Sequence, residues 1–143
     1  MAAVSPSEEA AIIRRVAARV FISFDYDNDP DLRTLLANQA KFEDSPFEIA
    51  DWSVKEAFTG NWQEQVRKRI RQVGQMAVIC GHHTDRATGV AAELRIAREE
   101  DKPYFLLRGR SSETVKKPTS ALGTDKIYDW TWPNLKLLIG GAR

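Results

Sequence analysis

Only one cysteine, Cys80, occurs among the 143 residues, which excludes an intramolecular disulfide and any cysteine-based structural zinc site. Long apolar runs are missing as well: none approaches the roughly 18 residues of a membrane span. The N-terminus carries Glu8, Glu9, Arg14 and Arg15 where a signal peptide would need an apolar stretch. A cytoplasmic protein with no membrane contact is therefore expected. There is no excess of charge of either sign, since 21 Lys and Arg stand against 20 Asp and Glu for a formal net charge of +1. Nothing global draws such a chain to nucleic acid or anionic lipid, and a nucleic-acid role would need a local patch. Internal repeats and low-complexity tracts are also lacking. What is present, 43% hydrophobic and 29% charged residues, is the composition of an ordinary folded protein long enough for one domain and one core.

Apolar runs and helical patterns alternate along the chain. Val20-Phe21-Ile22-Ser23-Phe24 is a short β-branched and aromatic run that stops at an acidic stretch and reads as a buried strand. Asp29-Pro30 then has the form of an N-cap and first helical turn, with Leu32, Leu35, Leu36 and Gln39 at helical spacing. Phe47 to Trp52 alternates, as an edge strand would. Asn61-Trp62-Gln63-Glu64 has the form of a capping box, followed by Val66, Ile70 and Val73 on one helical face with Trp62. Met76 to Cys80 is almost wholly apolar and predicts a central strand. A helix from about Ala87 to Glu100, a fourth strand at Pro103 to Leu107, a weaker fifth at Lys126 to Trp130 and a closing helix around Leu135 and Leu138 complete the pattern. Residues 108–125 read as a long irregular loop. Residues 1–18 predict an amphipathic helical extension, leaving 19–143 as the domain. Strands separated by helices imply right-handed crossovers, hence an α/β three-layer sandwich around a parallel sheet.

In an open parallel sheet, ligands bind outside the carboxyl ends of the strands where the strand order reverses. For a five-stranded order 2-1-3-4-5 the candidates are Phe24, Asp25, Tyr26 and Asp27, then Trp52 and Ser53, then Cys80 to Asp85. Familiar sites fail at these positions. The alternating acids of Asp25 to Asp29 resemble a calcium loop, but Pro30 and Leu36 stand where it needs its Gly and closing Glu. A phospho-accepting receiver needs an Asp ending the third strand and a Lys ending the fifth; Cys80-Gly81 and Trp130 are there instead. No glycine-rich phosphate loop follows the first strand. The adjacent His82 and His83 point in different directions and cannot chelate one metal by themselves, so they read as solvated residues or as one substrate contact. Cys80 reads as a packed, inert thiol. Arg67-Lys68-Arg69 with Arg71 reads as a solvated helix face, or else as a local contact for an anion or a protein.

Glu93 stands apart. On the helix after the third strand, Val90, Leu94 and Ala97 define the buried stripe, and Glu93 falls about 70° from its centre, at the boundary of the buried face. It lies about 9 Å from the helix start at 1.5 Å per residue, so its carboxylate can reach the crevice. The competing reading is a surface Glu paired with Arg95 or Arg98.

Three stretches together resemble the TIR-like domains of the Thoeris ThsB type. They are Arg19-Val20-Phe21-Ile22-Ser23-Phe24 followed by acids, Asp51-Trp52-Ser53, and Thr88-Gly89-Val90-Ala91-Ala92-Glu93-Leu94 followed by Lys102-Pro103. The likeness runs from about Arg19 to the end. It implies a flavodoxin-like TIR fold, bacterial antiphage defence, and cleavage of the nicotinamide bond of NAD+ as substrate, with no resident cofactor and no metal. It further implies a cyclic ADP-ribose-type product that activates a separate effector, with self-assembly among the partnerships it allows. Glu93 matches the family's catalytic glutamate, while the Trp that relatives often carry four residues earlier is Gly89 here. On this reading Phe24, Asp25, Tyr26, Trp52, Ser53, His82 and His83 are the substrate-binding candidates, and residues 53–60 form a mobile wall. A domain of this size leaves no room for an effector, so any signal is expected to leave as a diffusible product or through a partner. The alternative is a non-catalytic TIR-like module that senses a nucleotide or docks on a protein, with Glu93 structural.

Overall fold

The computed structural model describes residues 18–53, 61–111 and 114–141. The elements are β1 (Ala18–Ser23), α1 (Pro30–Gln39), β2 (Phe47–Trp52), α2 (Trp62–Arg71), β3 (Gln75–Cys80), a 3-10 turn (Thr84–Arg86), α3 (Thr88–Glu99), β4 (Tyr104–Arg108), β5 (Ile127–Asp129) and α4 (Trp132–Ile139). They build one parallel sheet of order β2-β1-β3-β4-β5, the α/β sheet expected from the alternation of strands and helices, in the order of the expected flavodoxin-like fold. The helical extension expected at the N-terminus lies outside the described residues up to residue 17, and Ala18 already belongs to β1.

Alternation along the strands sorts the core into two layers. Phe21, Met76, Val78, Cys80 and Leu106 face Trp62, Val66 and Ile70 of α2 and Val90, Leu94 and Ala97 of α3. Val20, Ile22, Ala77, Ile79, Phe105 and Leu107 face Leu32 and Leu36 of α1 and Leu135 and Leu138 of α4. Every residue of β3 is buried, as a central strand between two helical layers requires. Leu35 shares the helical spacing of α1 but is exposed. Both expected side-chain caps differ from what is seen: neither Asp29 at α1 nor Asn61 at α2 accepts a capping hydrogen bond. Asp29 is instead drawn into a partly buried ion pair with Arg110. At α4 the side chain of Thr131 does cap, accepting from the backbone N–H of Asn134.

Two arginines of the basic run on α2 are engaged within the fold. Arg67 pairs with Glu99 at 2.8 Å and with Glu100 at 3.0 Å, and Arg71 pairs with Glu100 at 3.0 Å, locking α2 against the end of α3. The stretch after β4 is irregular, as expected, yet anchored: Val115 and Pro118 are buried, and the Ser120 hydroxyl donates to the Ala91 carbonyl at 2.7 Å. A close approach makes Gly109 necessary, because a Cβ there would meet Leu32 Cδ1 at 2.6 Å and Ile79 Cγ2 at 2.8 Å. Among the described residues no helix is long and apolar enough to cross a membrane.

Candidate active site

A cavity of about 600 Å³ opens at the carboxyl edge of the sheet, where the order steps from β2 through β1 to β3 and where small-molecule sites of this size are usually found. The loop after β1 supplies Phe24 to Asn28, the end of β2 supplies Ser53, and the first residue of α2 supplies Trp62. His83, Arg86 and the first turns of α3 close the other side, with Glu93.

Glu93 is 3% exposed. It is thus more deeply buried than a boundary position and is not the surface residue of the competing reading. Its Oε1 accepts the hydroxyl of Ser23 at 2.8 Å and that of Ser53 at 2.5 Å, whereas Arg95 turns to Gln63 and Glu99. Ser23 ends β1 on the same face as Phe21, toward α3, which follows from simple alternation. Ser53 arrives there by a different route. Val20 is paired with Ile49 but Phe21 with Asp51, so Ala50 is the extra residue of a bulge, and the bulge resets which face each later residue takes. Without it Ser53 would share the face of Phe47 and Ile49, toward α1. The Ser53 oxygen also accepts the Phe24 backbone N–H at 3.2 Å, tying the loop after β1 to the same network.

The same bulge corrects one expectation. Trp52 does not border the cavity: it lies on the α1 side, where the Arg33 guanidinium stands 5.1 Å from its ring. His82 is also outside, its Nδ1 within 2.7 Å of the Thr114 hydroxyl, while its neighbour His83 lines the cavity. Adjacent residues diverge, as their spacing required. Phe24 reaches the cavity with little surface, being 2% exposed and packed in the α1 layer. Tyr26, 6.0 Å from it ring to ring, is 46% exposed and is the aromatic face open to a ligand. Asp25 organises the turn, accepting from the Asp27 backbone at 3.1 Å and from the Asn28 amide at 2.7 Å. That arrangement uses both carboxylate oxygens within the loop. No group of three or more His, Cys, Asp or Glu side chains among the described residues is placed to hold a metal. The segment expected as a mobile wall lies, from residue 54 to 60, outside the described residues.

Beside the cavity, Asp29 is buried over Gly81, whose Cβ, if it had one, would strike the carboxylate. Arg110 donates to Asp29 at 3.0 Å, yet burial still raises the carboxyl above its ordinary value. Burial, with Asp29 nearby, pushes the Cys80 thiol up to about 12, which makes it the inert thiol expected from its place in an apolar strand.

Sequence reasoning missed Ser23, Trp62 and Arg86. The rule that points to the carboxyl ends of strands applies equally to the helix starts that follow them, which would have found Trp62, and Arg86, at the end of the 3-10 turn, lies one residue beyond the candidate stretch after β3. A lone hydroxyl ending an apolar strand was the signal for Ser23.

The family model described as Thoeris protein ThsB, TIR-like domain, matches residues 21–114, well over half of the chain. The chain belongs to the Thoeris ThsB TIR-like family. The match runs from the second half of β1 through β4 and covers every residue lining the cavity, and stops short of β5 and α4, a narrower span than the likeness to the end of the chain that the sequence suggested. No curated protein matches the chain. Membership of the ThsB family puts the protein in antiphage defence, alongside other defence components.

Proposed function

We propose that this ThsB-family protein cleaves the nicotinamide–ribose bond of NAD+ and releases a cyclic ADP-ribose-type signal that activates a separate effector in the bacterial cytoplasm. The observation that carries the reading is the buried Glu93 carboxylate, held by two neutral hydroxyls on the lining of a ligand-sized cavity. Departure of nicotinamide leaves an oxocarbenium-like ribosyl cation, and a fixed carboxylate stabilises that charge and accepts hydrogen bonds from the ribose hydroxyls. Nicotinamide departs from a cationic precursor as a neutral molecule, so no general acid is needed. Tyr26 and Trp62 offer aromatic surfaces for the bases, and Arg86 offers a cation to the pyrophosphate. If adenine captures the ribosyl cation the product is cyclic; if water enters it is linear.

Incubation with NAD+ and chromatographic detection of nicotinamide tests the reading, in purified protein and in phage-challenged cells. Wild type is expected to release nicotinamide and Glu93→Gln to be silent. Equal rates would remove Glu93 from the chemistry. The second reading, a nucleotide-sensing module, draws on the same burial, since a carboxylate only 3% exposed also serves as a structural anchor between two strands and a helix. It predicts NAD+ or product binding without turnover.

A further inference from the structure

Resting on that reading of Glu93, we infer that Ser23 and Ser53 are positioning residues that hold the Glu93 carboxylate ionised and fix its orientation in the cavity. Both hydroxyls donate to the same oxygen, Oε1, and neither engages Oε2. Ser23 is fully buried and Ser53 is 5% exposed, so the two bonds form away from competing water and act at full strength. They come from separate strands, the end of β1 and the residue after β2, so the carboxylate is held from two directions rather than by one rotatable contact. Backbone pairing makes those two positions neighbours: the Ser53 N–H donates to the Ile22 carbonyl at 2.9 Å, which leaves Ser53 beside Ser23. The Phe24 N–H donates into the Ser53 oxygen, which directs the Ser53 hydroxyl proton outward to Glu93 and polarises it. The bulge at Ala50 therefore has a purpose in the site: it brings a hydroxyl, and not Trp52, to the face where Glu93 lies.

The chemistry of the donors matters. A hydrogen bond to the charged form of an acid favours that form and lowers its pKa, whereas a lysine or arginine in the same place would also neutralise the charge that the ribosyl cation needs. Two serines orient the carboxylate and favour its charged form without adding a positive charge of their own. Removing either one favours the protonated acid, so the pKa of Glu93 rises and the acid limb of activity moves to higher pH.

The test uses the full chain with Ser23→Ala, Ser53→Ala, Ser53→Thr and Glu93→Gln. The carboxyl carbon of Glu93 is followed by NMR in protein labelled at glutamate, assigned by its loss in Glu93→Gln, and nicotinamide release is followed against pH. Each alanine variant is expected to raise the Glu93 titration midpoint and the acid limb of the rate by about one pH unit, as loss of one charge-assisted bond implies. Ser53→Thr, which keeps the hydroxyl, is expected to restore both. A rate lowered equally at every pH, with the midpoint unmoved, overturns the inference while leaving NAD+ cleavage intact. Full activity in Glu93→Gln overturns the NAD+ reading of Glu93, and the NMR midpoint still decides whether the serines tune the carboxylate.

Discussion

Glu93 and Glu100 are separated by less than two turns of one helix, yet the protein treats their carboxylates in opposite ways. Glu93 meets two neutral hydroxyls; Glu100, just past the end of α3, meets the guanidinium groups of Arg67 and Arg71. A glutamate at a helix C-terminus faces the negative end of the helix dipole, and the arginines of α2 offset that repulsion while clamping the two helices together. The pairing leaves Glu100 no charge to offer anything else. Hydroxyls satisfy hydrogen bonding without adding a positive charge, which is what the proposed encounter of Glu93 with a ribosyl cation calls for. On the proposed reading of Glu93, the partner of an acid, more than its burial, separates a residue kept for chemistry from one committed to structure.

The largest expected effect comes from making the same conservative change at both places. Glu93→Gln should lower nicotinamide release by about 100-fold or more, the usual loss when one preorganised electrostatic group is removed, and should leave the thermal midpoint close to wild type because a Gln oxygen still accepts from both serines. Glu100→Gln should do the reverse, keeping the rate and lowering the midpoint. Scanning fluorimetry and the nicotinamide assay on both variants check the pair. Equal loss of activity in the two would erase the distinction drawn between them.

A second way to sharpen the contrast is pH. Arg71 and Arg67 hold the Glu100 carboxyl well below its ordinary value, at about 2, and Arg67 lowers that of Glu99. A depressed folded pKa means stability that is fully present above the ordinary carboxylate range and lost as the pH falls through the folded value. The gap in thermal midpoint between wild type and Glu100→Gln should therefore be constant above about pH 5 and close toward pH 2. A gap that persists at pH 2 would trace the clamp to packing rather than to charge. The same clamp bears on nucleic acid. With Arg67 and Arg71 engaged by Glu99 and Glu100, the basic run of α2 should show no salt-dependent affinity for DNA or RNA, and binding at low salt that falls steeply with added salt would contradict this.

The layers of the fold were legible because alternation and helical periodicity are local: the all-apolar Met76 to Cys80 run announced a central strand, and Trp62, Val66 and Ile70 announced a buried stripe. Glu93 could be picked out for the same reason, since its place on α3 follows from counting residues. What was not legible depends on contacts across the chain. The bulge at Ala50 exists only in the pairing of β1 with β2, and no pattern within Phe47 to Ser53 signals it, so Trp52 and Ser53 looked equivalent when only Ser53 faces the cavity. Asp29 likewise has the sequence of a cap. Its actual partner, Arg110, is 81 residues away.

The smallest expected effect concerns Gly89, at the start of α3. Among the described residues a Cβ at this position would meet only the Trp62 ring, at 4.0 Å, an ordinary contact. Gly89→Ala should therefore fit and stabilise the helix by about 0.5 kcal/mol, near the low end of the Gly-to-Ala difference because the position lies in the first turn. The thermal midpoint should rise by a few degrees at most, with nicotinamide release unchanged. The aromatic wall of the cavity is supplied here by Trp62, from a different helix, and a bulky side chain at 89 would press on that ring. If Gly89→Ala instead slows nicotinamide release at unchanged stability, a ligand approaches the α3 backbone more closely than Trp62 alone would require, and the first turn of α3 joins Glu93 on the side of the comparison kept for chemistry.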